Sequence, residues 1–290
     1  AVGVDADTIK RLAREFAAAD KALVYGRIGT CTVSFGTTAS WLVDVVNTIT
    51  GNLDREGGVM FPTPAAGGPT TRGAKGSGKG FQIGRGYSRV RKFPEALGEY
   101  PVSVLAEEIA TPGEGQIKAM ITAGGNPVLS TPNTLALEDA MKSLEFMISV
   151  DIYLNETTRY ADVILPPPSH LERSHFDLVF TGFSIRNVAN YSEPVFERDP
   201  SQPDEWEIFL KIAGIAQGMG AGVDPAVVDD FTLDAFIGSI MKDSSSPTNG
   251  LTAEQVREQL DATGARGADR MLDLMLRTVP YGAGFGENAN

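Results

Sequence analysis

Apolar and polar positions alternate most clearly between Gln116 and Pro166. Ile117 to Ala123 is an apolar run rich in β-formers, and it stops at Gly124-Gly125-Asn126-Pro127, where a helix cannot continue. Leu137, Ala140, Met141 and Leu144 then recur at helical spacing, which predicts an amphipathic helix opening near Pro132 or Asn133. Phe146 to Val150 predicts a second strand ending on Asp151, and a third runs into Pro166. Strands alternating with a helix in this way predict an α/β fold: a doubly wound, mainly parallel sheet of Rossmann-like βαβ units with right-handed crossovers. Such sheets bind ligands beyond the carboxyl ends of their strands, and both the glycine turn and Asp151 fall at that edge.

The flanking pattern is more helical. Asp7 to Ala19 predicts an amphipathic helix with Ile9, Leu12, Ala13 and Phe16 on one face, capped by Asp5 or Asp7. Ala22 to Tyr25 predicts a short buried strand running into Gly26-Arg27-Ile28-Gly29-Thr30-Cys31. Trp41, Leu42, Val45, Val46 and Ile49 form the stripe of a helix stopped by Gly51. Gly67 to Lys92 has almost no hydrophobic periodicity and predicts a long loop. Val102 to Ile109 predicts a short helix with Pro101 in its first turn and Glu107-Glu108 exposed. Beyond the sheet, Pro203 to Gln217, Phe231 to Met241, Thr252 to Leu260 and Ala268 to Leu276 predict a mostly helical C-terminal region with ordinary core patterning.

Composition narrows the function classes. The 290 residues, 42% hydrophobic and 21% charged, describe a globular chain rather than a disordered one. A formal charge of −12 argues against nucleic-acid or anionic-membrane partners, which need a basic face. The charge is uneven: no acid lies between Glu56 and Glu95, where Arg72, Lys75, Lys79, Arg85, Arg89, Arg91 and Lys92 are all basic. The single cysteine, Cys31, excludes an internal disulfide and a four-cysteine cluster within these residues, and it reads as a small buried residue rather than a nucleophile. No run of about 18 apolar residues predicts membrane insertion, and no signal peptide is evident, so a reducing cytoplasm is the simpler location. The opening Ala-Val-Gly-Val-Asp reads like mid-protein sequence.

Residue types suggest the chemistry. Gly124 and Gly125 let backbone approach a ligand, and the helix that follows turns its positive end toward an anion, as a phosphate requires. Asp151 lies where nucleotide-binding folds keep an acid for ribose hydroxyls or a base edge. The same turn also reads as no more than a tight connection. Arginines of the basic loop suit phosphates or an anionic substrate, with Arg72, Arg85 and Arg89 equal candidates and a solvated linker as the alternative. His170, Glu172 and His175 do not read as a metal set, because Pro166-Pro167-Pro168 opposes the helix that would gather them.

The segments GGNPVLSTPN and VDIYLNETTRYADVILPPPSHLE resemble those of the molybdopterin-dependent oxidoreductases of the dimethyl sulfoxide reductase type, which include formate dehydrogenases and molybdenum nitrate reductases. In that family a Gly-x-Asn-Pro turn, and an acid followed by Thr-Glu-Thr and Ala-Asp-Val-x-Leu-Pro, line half of a molybdopterin guanine dinucleotide site. The block GRIGTCTVSFGTTASWLVDVVNTITGNLDREGGVMF is similar too, although no glutamine stands near Val33. The resemblance covers residues 1 to 215 well and the remainder weakly. Ser174-His175-Phe176-Asp177 departs from it, so it assigns neither formate nor nitrate.

The resemblance implies the following. Gly125, Asn126 and Ser130 would hold the dinucleotide phosphates, Asp151 the guanosine, and Glu156 and Thr157 would shape its pocket. Gly29 and Thr30 would approach the pterin, and Arg27, Gly124, Pro127 and Asp162 would also be cofactor-binding residues. The metal would be molybdenum or tungsten, with its protein ligand outside these residues and the catalytic residues unknown. An iron–sulfur cluster would belong to a missing N-terminal part and a β-barrel to a missing C-terminal domain, with an electron-transfer subunit as a further partner. Residues 1–60 would then be part of an adjoining α/β domain, 61–94 a basic loop, 95–220 the dinucleotide-binding domain, and 221–290 a helical segment. Such a chain would not be catalytic by itself. The alternatives are a stand-alone nucleotide-binding or interaction module, and a nucleotide-dependent transferase.

Overall fold

In the computed structural model, which describes residues 3–66, 83–243, 246–279, 281 and 285, Asp5 caps the first helix, α1 (Ala6–Ala18), by accepting the Thr8 N–H at 2.8 Å. The described residues form two compact units. One contains those up to 66 together with 177–189, and the other contains 83–176 and those from 190 onward.

In the first unit, α2 (Ile28–Cys31) follows Arg27, and α3 (Gly36–Ile49) ends before Gly51, which takes the left-handed φ of +72° that suits a terminal glycine. The sequence places a buried strand at Ala22 to Tyr25. The structure instead gives extended chain without a strand partner among the described residues, and Leu23 and Tyr25 are exposed. The pairing is done by a side chain. Asn47, buried in α3, accepts the Val24 N–H and donates to the Val24 carbonyl, both at 2.9 Å, as a neighbouring strand would. The stripes of α1 and α3 also stay largely open, with Ile9, Leu12, Trp41, Leu42 and Ile49 exposed. Cys31 is exposed as well, contrary to the buried position expected of it.

The second unit opens with an antiparallel hairpin, β1 (Ile83–Tyr87) with β2 (Pro94–Ala96), whose first strand lies inside the stretch that sequence periodicity leaves as loop. Residues 67–82 of that stretch, Arg72 among them, lie outside the described residues. A 3-10 turn at Val102–Val104 leads into α4 (Leu105–Ala110). Glu107 lies toward the surface, but Glu108 is buried, because its carboxylate accepts the Val90 N–H at 2.7 Å.

Next come β3 (Ala119–Ala123), α5 (Pro127–Ser130), α6 (Thr134–Met141), β4 (Phe146–Val150) and β5 (Val163–Ile164). The three strands form a parallel sheet in the order β3-β4-β5, with Ala119 opposite Phe146 and Ile148 opposite Val163. That is α/β architecture with a βαβ unit. The strand order runs one way, so a second winding of the sheet is not present among the described residues. Ile109, Val128, Leu137, Ala140 and Met141 close the core between the helices and the sheet. The buried Thr122 and Ser149 hydroxyls, register partners on β3 and β4, satisfy each other at 2.8 Å.

A small antiparallel pair, β6 (His175–Phe176) with β7 (Tyr191–Ser192), precedes four helices: α7 (Glu205–Ala216), α8 (Pro225–Ile240), α9 (Ala253–Asp261) and α10 (Gly267–Arg277). Helix α8 begins six residues before the expected Phe231, because Asp224 caps it and Pro225 occupies its first turn. Leu233, Ile237, Val256, Leu260, Leu274 and Phe285 form the core of this helical region. Among the described residues no helix is long and apolar enough to cross a membrane.

Candidate cofactor edge

Strand β3 ends at Ala123, and the chain leaves the sheet through Gly124 at φ +58°, a conformation costly for any residue with a Cβ. The Gly124 N–H still reaches the Val150 carbonyl at 2.9 Å, so the turn starts at the carboxyl edge of β3 and β4 together. A Cβ added at Gly124 would meet nothing within 4 Å, and one at Gly125 only the Ala123 carbonyl at 3.8 Å. The backbone here borders open space.

Asn126 and Pro127 follow at the start of α5, but the Asn126 side chain does not cap that helix. It crosses to the segment after β4, donating from Nδ2 to Glu156 Oε2 at 2.6 Å and accepting the Thr157 hydroxyl at Oδ1, also at 2.6 Å. Thr157 Oγ1 in turn accepts the Val128 N–H at 3.1 Å. The Asn126 amide is the main cause that holds the Glu156 carboxyl below the usual carboxylate range. The Ser130 hydroxyl donates to the Asn126 carbonyl at 3.0 Å, so it closes α5 on itself.

Asp151 stands one residue past β4 and is 9% exposed. Its Oδ1 accepts the Tyr153 N–H at 3.0 Å and its Oδ2 the Asn155 Nδ2 at 3.2 Å. Asn155 Oδ1 also accepts the Thr157 and Thr158 N–H groups at 2.9 Å, folding the loop into an Asx turn. Asn155 was not anticipated as a site residue, although an asparagine just before Glu-Thr-Thr is a turn signal that marks it.

Of the residues expected at the site, Gly124, Gly125, Asn126, Pro127, Ser130, Asp151, Glu156 and Thr157 share this edge. Asp162 does not. It accepts the Met147 N–H at 2.7 Å, near the amino end of β4. Arg27, Gly29 and Thr30 belong to the first unit. There the Thr30 hydroxyl donates to the Arg27 carbonyl at 2.7 Å, and a Cβ at Gly29 would meet nothing within 4 Å.

The two described candidate arginines of the basic loop are engaged within the chain. Arg85 is paired with Glu95, whose carboxyl is held at about 2 by that guanidinium first and by the Gly98 N–H second. Arg89 donates to the Glu108 and Thr111 carbonyls. These arginines hold the hairpin to α4 and to itself, which gives them a structural role.

The edge suits a nucleotide-bearing group. Open backbone at the two glycines gives room for an anion, and a carboxylate keeps lone pairs beyond those that Tyr153 and Asn155 use, so Asp151 can still accept from a donor-bearing ring or sugar.

Residues 4–214 match the family model for molybdopterin oxidoreductases. The chain is similar to the F420-dependent formate dehydrogenase 2 subunit alpha of Methanococcus maripaludis, with 30% identity over 228 residues, which is 76% of this chain and 32% of that subunit. It is 31% identical over 223 residues to the F420-dependent formate dehydrogenase subunit alpha of Methanocaldococcus jannaschii, covering 73% of this chain and 31% of the relative. Trimethylamine-N-oxide reductase of Haemophilus influenzae is 26% identical over 230 residues, 73% of this chain and 27% of its own. The chain thus spans about a third of the length of these curated relatives. With a family match over most of its length and the glycine turn and acid at one sheet edge, the chain belongs to the molybdopterin oxidoreductase family.

Proposed function

We propose that the edge formed by β3 and β4 holds the nucleotide half of a molybdopterin guanine dinucleotide in a two-electron oxidoreductase of the formate dehydrogenase or nitrate reductase kind. The observation that carries this reading is the joining of the glycine turn to the acid-bearing loop at one sheet edge, within a chain of this family. Gly124 and Gly125 bring backbone to the phosphates, with Ser130 behind them. Asp151 accepts from the guanosine, while Asn126, Glu156 and Thr157 shape the pocket. On the first unit, Gly29, flanked by Arg27 and Thr30, is the proposed pterin contact. The bound group supplies two-electron redox chemistry at molybdenum or tungsten; this chain positions it and sets its electrostatic surroundings.

An iron–sulfur cluster is assigned to another part of the same enzyme, because one cysteine cannot ligate it. The partners proposed are the enzyme's other domains and an electron-transfer subunit, and the chain alone lacks a complete active centre.

The test is metal analysis, together with chromatography of nucleotides released by acid, on the protein as its gene encodes it. The wild type is expected to carry molybdenum or tungsten with a matching amount of guanine nucleotide, and Asp151→Ala to lose most of both. If Asp151→Ala keeps metal, nucleotide and activity, the role given to Asp151 is wrong. A wild type that binds free guanine nucleotide but no metal supports the stand-alone module instead.

A further inference from the structure

We propose that Asn126 is a positioning residue, a latch that ties the glycine turn to the loop after β4, and that it does not itself hold the ligand's phosphates. This rests on the reading of the edge given above and specifies how that edge is built.

The first argument is hydrogen-bond capacity. An asparagine amide offers two N–H donors and one carbonyl oxygen. In Asn126 one donor is on Glu156 and the oxygen receives Thr157, each at 2.6 Å, so the side chain's orientation is set by these two partners and one N–H is left over. The second argument is charge. A diphosphate approaching this amide would meet the Glu156 carboxylate already seated on it, and two anions at one donor repel. The glycine backbone at Gly124 and Gly125 has no such neighbour, and the space above it is open.

The third argument is the partner. Thr157 is 0% exposed, so it cannot touch a ligand, yet its hydroxyl is the node of the network. It donates to Asn126 and accepts the Val128 N–H, while its own N–H is held by Asn155. Asn155 also donates to Asp151. A continuous chain of hydrogen bonds therefore runs from Asp151 through Asn155 and Thr157 to Asn126. It fixes the separation between the acid and the glycine turn within the protein itself, so that little ordering remains to be done on binding.

The test compares Asn126→Ala, Thr157→Val and the double variant in the protein as its gene encodes it, reading thermal unfolding and retained guanine nucleotide. As a latch, each single variant lowers the unfolding midpoint by more than the about 2–4 °C expected of one hydrogen bond, because each also loses a second bond, Asn126 to Glu156 or Val128 to Thr157. The double variant falls by less than the sum of the two singles, since the Asn126–Thr157 bond is lost in both, and both singles lose nucleotide. Thr157→Ser, which keeps the hydroxyl, restores both readouts. Loss of nucleotide in Asn126→Ala with full retention in Thr157→Val overturns the proposal, because the Asn126–Thr157 bond is then not what holds the edge for the ligand. Additive midpoint shifts overturn it too. Should the protein carry no guanine nucleotide, the functional reading fails, but the unfolding cycle still decides whether the latch exists.

Discussion

Arg270 and Asp229 meet at 2.6 Å inside the helical region, their side chains only 1% and 5% exposed. Arg270 also reaches Asp230 at 2.7 Å and Asp261 at 2.8 Å. Arg257 binds Asp230, Asp234 and Asp261 from the surface side, and Arg266 binds Asp230. Three guanidinium groups thus answer the acids of α8 and α9.

Removing Arg270 strands a buried carboxylate. Arg270→Leu is expected to cost about 3–5 kcal/mol, as breaking a buried pair does, whereas Arg270→Leu with Asp229→Leu should recover much of the loss. Urea unfolding of the two variants checks this, and a double variant as unstable as the single contradicts it.

The same cluster sets an acid limit. Burial raises the carboxyls of Asp230 and Asp261, but their arginine partners outweigh it and hold both below the ordinary 3.8. For a depressed carboxylate the stability is present above the unfolded value and lost as pH falls through the folded one. Unfolding midpoints should therefore hold above pH 4 and drop below it, with a shallower drop in Asp230→Asn. Glu95 acts likewise, its contribution fading between the ordinary 4.5 and about 2, so Glu95→Gln should differ from wild type above that range and converge with it below.

At Gly267 an added Cβ would sit 2.2 Å from the Trp206 ring, and the residue holds φ +56°. Gly267→Ala must push the indole aside and strain the backbone, costing about 2–4 kcal/mol. A shifted tryptophan emission with a lowered midpoint is expected. Unchanged emission would mean that α7 and α10 pack less closely than described.

Asn47 stands in for a strand partner of Val24, so Asn47→Leu leaves a backbone N–H and carbonyl unpaired at a cost of about 1–3 kcal/mol. Faster hydrogen exchange at Val24 in the variant is the direct check, because a merely space-filling asparagine would leave that amide unchanged.

The sheet edge was legible in the sequence because its signals are local. Short apolar runs rich in β-formers, a glycine pair that no helix continues, and an acid at a strand end depend on a few neighbouring residues, and β4 falls where they predict it, at Phe146–Val150. The family resemblance, carried by the same segments, holds over residues 4–214. The hairpin β1–β2 was hidden, because Ile83-Gly84-Arg85-Gly86-Tyr87 lacks apolar alternation and is held by Arg85 on Glu95, a partner ten residues away. The start of α8 was missed although its cap and proline were in view.

The sequence alone determined the α/β character of the sheet region, the helical tail and the position of the glycine turn and Asp151, since backbone preference and periodicity act over a few residues. Only the tertiary structure decided where the polar side chains go. It took Arg85 and Arg89 into ion pairs and carbonyl contacts, gave Asn47 to Val24, buried Arg270 among aspartates, and turned Asn126 toward Glu156 and Thr157. Those choices join residues 9 to 41 positions apart, and hydrogen-bond geometry, unlike hydrophobic pattern, is fixed only when the chain brings such groups within about 3 Å of each other.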